Sequence, residues 1–151
     1  MNESEKAQKA LDYYLGGYNC GQAVFAAFHE EMGLDEAFAL RLGSSLGGGM
    51  GGLREICGAV SSMFAVLGAL KGYDTADDMD AKRAHYAKIQ RLAEEFKQEY
   101  GTYNCRELLI RNGIQPVAAP AERTPEYYKK RPCARYVEYC ARMTVRALQE
   151  N

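Results

Sequence analysis

Apolar positions recur at helical spacing along almost the whole chain, and nowhere do they alternate with polar ones over the length of a strand. Ala7, Ala10, Leu11, Tyr14 and Leu15 mark one face of a first helix that Gly16-Gly17 would end. A second helix is predicted from Asn19-Cys20, with Val24, Ala27, Phe28 and Met32 turned inward and Gly33 as its stop. Asp35 is placed to cap a third, shorter helix through Phe38, Leu42 and Leu46.

From Ile56 to Leu70 there is no charged residue, and Glu55 and Lys71 bound the stretch. It is too short to span a bilayer and reads as a helix buried on most sides. Ile56, Val60, Met63, Leu67 and Leu70 form a bulky seam on it. Gly58, Ser61, Ser62, Ala65, Gly68 and Ala69 form a small-residue seam that would admit a neighbouring helix or, if unfilled, suit a homodimer.

Thr75 and Asp78 have the spacing of a capping box, with Asp in place of Glu, before a long helix. That helix aligns Met79, Tyr86, Ile89, Ala93, Phe96 and Tyr100, and Gly101 ends it. A short helix runs from Asn104-Cys105 to Asn112-Gly113. Pro116, Pro120 and Pro125 make Ile114 to Pro125 an extended connection. The last helix starts at Pro132 and carries Cys133, Tyr136, Val137, Cys140, Thr144 and Ala147 on one face. The expected fold is all-α: one domain over residues 1–151, a helical bundle around a buried apolar helix.

Composition narrows the function. The chain has 151 residues, enough for a single sizeable core. Nineteen basic against 20 acidic residues leave a net charge of −1, a poor basis for neutralising nucleic-acid phosphates. No apolar run has the length of a membrane span, and no basic leader precedes an apolar segment, so a cytoplasmic protein is expected.

Five cysteines carry the candidate chemistry: Cys20, Cys57, Cys105, Cys133 and Cys140. In a reducing compartment they do not read as a permanent disulfide framework, and no Cys-x-x-Cys, zinc-finger or haem-attachment spacing occurs. Any shared site must be assembled by the fold. Cys20 and Cys105 each follow an asparagine able to cap a helix, in the repeated tripeptide Tyr-Asn-Cys, and Cys133 follows a proline able to begin one. A helix N-terminus offers unpaired N–H groups and a partial positive charge. There a thiol is expected to ionise more readily, and the flanking Arg106, Arg131 and Arg135 push the same way. Against this, free cysteine is also a small apolar residue commonly buried in cores.

Cys57 begins the apolar helix, just after Leu46-Gly47-Gly48-Gly49-Met50-Gly51-Gly52. Gly47, Gly49 and Gly52 fit the dinucleotide fingerprint literally, but the segment before them reads as helix, not strand, and no P-loop lysine follows. A sharp connection with close packing is the better reading, and it delivers Cys57 to a helix start. Cys140 lies two turns beyond Cys133, about 10 Å along the helix. That is too far for a direct bridge, and Cys140 is assigned to the core. His29 and His85 read as solvated or edge residues.

The chain resembles the family of redox-active proteins named for the C-GCAxxG-C-C cysteine pattern. The matching residues are Tyr18-Asn19-Cys20 with Gln22-Ala23-Val24, the glycine stretch Leu46–Gly52, Glu55-Ile56-Cys57-Gly58-Ala59-Val60, Cys105, and Pro132-Cys133 with Tyr136-Val137. The likeness runs from about Ala7 to Ala147. It implies that the family's four characteristic cysteines fall on Cys20, Cys57, Cys105 and Cys133. Ser62 stands where the pattern has its last glycine, and Cys140 matches none of the four.

Three functions follow as expectations. The first is thiol/disulfide chemistry among these four cysteines, with a protein redox partner or a small-molecule oxidant. Cys57 is the favoured member, with Cys20 or Cys133 as its counterpart. In the second, the same four thiolates hold zinc or an iron–sulfur cluster, against which stands the absence of any short local ligand pair. The third is a non-catalytic helical binding module in which the cysteines only fill space.

Overall fold

The computed structural model describes residues 1–150. Its elements are α1 (Glu3–Leu15), α2 (Cys20–Ala27), α3 (Glu36–Ser44), α4 (Gly58–Lys71), α5 (Met79–Tyr100), α6 (Cys105–Arg111), α7 (Pro125–Lys130) and α8 (Cys133–Gln149). Gly47–Met50 is coiled as well, but Gly48 and Gly49 have φ of 68° and 65°, so it is a left-handed turn rather than a helix. Among the described residues there is no strand, only one antiparallel bridge between Ile56 and Asn104. The all-α, single-core expectation holds.

α1, α2, α4 and α8 pack against one another and supply most of the core. α2 buries every residue except Cys20 and Gln22. It is held at its start by a complete capping box: the Asn19 side chain accepts from the Gln22 N–H, and the Gln22 amide accepts from the Asn19 N–H. Such a cap contributes about 1 kcal/mol. α4 buries Val60, Met63, Val66 and Leu67. Behind this core an aromatic cluster of Phe96, Tyr100, Tyr136 and Tyr139 ties α5 to α8, with ring centroids 4.8–5.7 Å apart.

Several expectations about faces are corrected. α2 ends at Ala27 rather than Met32, and turns lead from there into α3. Phe38 and Leu42 of α3 face outward, and Ala39 and Gly43 face the core. The reason is proximity. A Cβ on Gly43 would stand 2.9 Å from the Gln22 Cα, so α3 crosses α2 through its smallest residues. The predicted capping box at Thr75 does not form, because Asp78 itself caps α5 by accepting from the Ala81 N–H. Met79 and Tyr86 are exposed, and α5 buries only Leu92 and Phe96. The connection from Ile114 is irregular as expected, and at its end lies a short helix the sequence did not announce, α7, with Thr124 as its cap and Pro125 in its first turn.

The small-residue seam of α4 splits in two. Gly58 and Ser62 lie buried against α2, where the Ser62 hydroxyl donates to the Gly21 carbonyl at 2.8 Å. Ser62 thus serves as a peg between helices where the family pattern has glycine. Gly68 and Ala69 are exposed, and a Cβ on Gly68 would touch nothing.

Candidate functional site: a cavity walled by four cysteines

The glycine turn builds the site. Gly48, Gly49, Met50, Gly51, Gly52 and Arg54 all have positive φ, a backbone that closes the loop back on itself. The Arg54 and Glu55 N–H groups donate to the Gly48 and Gly49 carbonyls. On the other side the Cys57 N–H donates to Tyr103, and the Cys105 N–H donates to Glu55. Residues 54–57 are therefore zipped between the turn and the start of α6. Met50 and Arg54 pay for this with left-handed backbone that costs a non-glycine residue roughly 1 kcal/mol or more. Gly49 could not be replaced: a Cβ there would lie 2.6 Å from the Glu55 nitrogen and 2.7 Å from the Cys105 Cβ.

Cys20, Cys57, Cys105 and Cys133, 113 positions apart at their extremes, line one cavity of about 490 Å³. Cys140 is not among its walls and is fully buried in the core, as its sequence position suggested. The four thiols have different surroundings. The Cys57 thiol and the backbone N–H groups of Gly48, Ala59 and Gly21 surround the Cys20 sulfur and favour its charged form. Gly21 lies in the first turn of α2 and Ala59 in the first turn of α4, so two helix starts converge on a single sulfur. Their approach depends on Gly58, where a Cβ would stand 2.7 Å from the Cys20 Sγ. The Cys57 thiol, together with these amides, overcomes burial and lowers the Cys20 thiol to about 6, which favours its thiolate form.

The other three move the opposite way. Cys57, 5% exposed, is held protonated by its hydrogen bond to Cys20 and by burial. Cys105 is raised by burial, although the Arg54 guanidinium donates to its sulfur at 3.7 Å. Burial and the nearby Cys20 charge push Cys133 up to about 12. The expectation that each helix start lowers its thiol is thus correct for Cys20 and overturned for Cys105 and Cys133. Both do begin helices, but desolvation of the buried thiol outweighs the pull of a single helix start. Arg106 and Arg135, expected to assist, are exposed and do not reach the cavity, whereas Arg131 lines it.

Three further groups on the cavity wall were not singled out from the sequence. Arg54 is 7% exposed, and its Nε donates to the Val117 carbonyl at 2.9 Å. It is the only basic residue between Leu46 and Leu70, which is a signal the sequence did carry. Tyr14 and Arg123 are brought in by the packing of α1 and the 114–124 connection, and no local pattern marks them. Among the described residues, no three His, Cys, Asp or Glu side chains converge in a metal-holding arrangement, so the zinc or cluster alternative finds no ready-made ligand set.

A family model described as "Putative redox-active protein (C_GCAxxG_C_C)" matches residues 18–147. The chain belongs to the C_GCAxxG_C_C family. Comparison with curated proteins and with solved structures finds no match. The matched span includes all four cavity cysteines and the glycine turn. No described helix is long and apolar enough to cross a membrane.

Proposed function

We propose that this member of the C_GCAxxG_C_C family carries out thiol–disulfide exchange, with Cys20 as the nucleophile and Cys57 as the resolving thiol. The observation that carries this reading is the Cys20 sulfur, set on the cavity wall beside Cys57 and against Gly58 at the start of α4, where the surrounding amides and the Cys57 thiol lower its pKa. The Cys20 thiolate attacks one sulfur of a substrate disulfide, forms a mixed disulfide and expels the other half as a thiolate. Loss of the Cys20 charge removes the main reason for Cys57 to keep its proton, which passes to that leaving thiolate. Cys57 then attacks the Cys20 sulfur, closing a Cys20–Cys57 disulfide and releasing the second half as a thiolate. The protein pair loses two electrons and the substrate disulfide gains them. Cys105 and Cys133, protonated on the same wall, are in place to accept the disulfide in a later exchange.

The test is limited alkylation of the reduced protein under argon, followed by peptide mapping, with metal content measured in the same sample. Cys20 is expected to be labelled first, with a rate that rises through an apparent pKa near 6. Mild disulfide oxidation should give a cross-linked peptide joining Cys20 to Cys57. Labelling of Cys20 no faster than Cys105 at pH 7, or oxidation that leaves Cys20 unpaired, overturns the assignment.

A further inference from the structure

The same cavity carries cationic groups to which the Cys20–Cys57 exchange gives no role. Arg54, Arg123 and Arg131 line it, no carboxylate does, and none of the three forms an ion pair among the described residues. Arg123 is fixed in place: its Nη2 donates to the Tyr18 carbonyl at 3.1 Å, and its guanidinium stacks on the rings of Tyr14 and Tyr127 at 4.9 and 4.5 Å. Its Nη1 is nevertheless buried without a hydrogen-bond partner. The hydroxyl of Tyr14, a residue 1% exposed on the same wall, is also buried, beside Cys133 and Tyr127 but with no acceptor within hydrogen-bond distance. Arg131 also stacks on Tyr127, at 5.0 Å from the ring centroid. The Arg123 Nη1, buried with no acceptor beside a second uncompensated cation, Arg131, is costly unless an acceptor arrives from outside.

We propose that the wall carrying Arg123, Tyr14 and Arg131 binds the carboxylate of a small anionic thiol or disulfide and so presents that substrate's sulfur to Cys20. The inference rests on the thiol-exchange reading for its sulfur end, and on Arg123, Tyr14 and Arg131 for its carboxylate end. Arg123 Nη1 and the Tyr14 hydroxyl donate to the carboxylate oxygens, and Arg131 supplies the second positive charge. The volume of about 490 Å³ admits a small-molecule disulfide. The selection is by charge. A lone thiolate attracts cationic disulfides, whereas this wall reverses that preference.

The test uses three disulfides of like size that differ only in their end groups: dithiodipropionate (anionic), bis(2-hydroxyethyl) disulfide (neutral) and cystamine (cationic). The rate of Cys20–Cys57 disulfide formation is expected to be about tenfold higher with dithiodipropionate than with cystamine, and the ratio should shrink as salt is added. Arg123→Gln and Arg131→Gln should each reduce the ratio, while Arg123→Lys preserves part of it. Equal rates for all three disulfides, or a ratio that favours cystamine, would overturn the carboxylate subsite and leave thiol exchange standing. Should none of the three oxidise Cys20, thiol exchange is what fails. The subsite is then decided by equilibrium dialysis of dithiodipropionate against the Cys20→Ser protein: saturable binding lost in Arg123→Gln supports it, and no binding overturns it.

Discussion

The tripeptide Tyr-Asn-Cys occurs twice, at residues 18–20 and 103–105, and the two copies make a natural comparison. Both asparagines cap a helix by accepting an N–H three residues on, and both cysteines are the first helical residue. Local structure is therefore nearly the same, yet one thiol is lowered to about 6 and the other is raised. Cys20 receives amides from a second helix and from the glycine turn, and the Cys57 thiol as well. Cys105 heads a helix of 7 residues and meets one guanidinium at 3.7 Å. One helix start does not offset the cost of burying a thiolate here, but two helix starts together with a thiol donor do.

The largest effect expected on this contrast is from Gly58→Ala. The added Cβ would meet the Cys20 Sγ at 2.7 Å and the Leu46 carbonyl at 2.6 Å, and the backbone contact cannot yield as a side chain would. A loss of roughly 1–3 kcal/mol on denaturant unfolding is expected, together with a rise in the Cys20 pKa as α4 is pushed away. Thiolate absorbance as a function of pH measures the second quantity. An unchanged titration would remove α4 from the account of Cys20.

Cys57→Ala and Cys57→Ser divide the next term. The alanine variant loses the donor to the Cys20 sulfur and should raise its pKa by about one unit or more, since a hydrogen bond to a charged group is worth about 1.5–3 kcal/mol. The serine variant keeps a hydroxyl donor and should titrate closer to the parent. Equal shifts in the two would mean that the amides, not the thiol, hold the charge.

A smaller effect separates the two caps. Asn19→Ala and Asn104→Ala should each cost about 1 kcal/mol of stability. Only the first should slow alkylation of Cys20, because Asn19 also donates to the Ser44 carbonyl and stands against Gly47 of the turn. Thermal melts and labelling rates on the same samples give both readings.

The last expectation concerns pH. Because the Cys20 thiol is lowered by folding, its contribution to stability is complete above about pH 9, where the unfolded thiol also ionises. It declines as pH falls and is gone below about 6. Unfolding midpoints at pH 5.5 and 8.5 should differ in that direction for the parent, and the difference should shrink in Cys20→Ser.

The sequence carried the helices well where caps and apolar stripes agree, as at Asn19, Asn104 and the Val60–Leu67 face of α4. It misjudged faces where contact is made by small residues. On α3, Phe38 and Leu42 dominate the pattern, but Gly43 is what lets the helix approach α2. It also placed the four cysteines as one set and Cys140 apart from them, through spacing and the family pattern. Their ionisation was not legible. Neighbours at i±4 can be read from a sequence, whereas the Ala59 amide, 39 positions from Cys20, cannot.

By itself, then, the sequence determined that the chain folds as helices, where most of them begin, and which thiols head them. These follow from local capping and from the period of apolar residues, which act within a few turns of chain. Only tertiary structure decided which thiol carries charge and what faces it. Charge on a buried sulfur is set by the sum of desolvation and donors in three dimensions, and here those donors come from α2, the glycine turn and α4 at once.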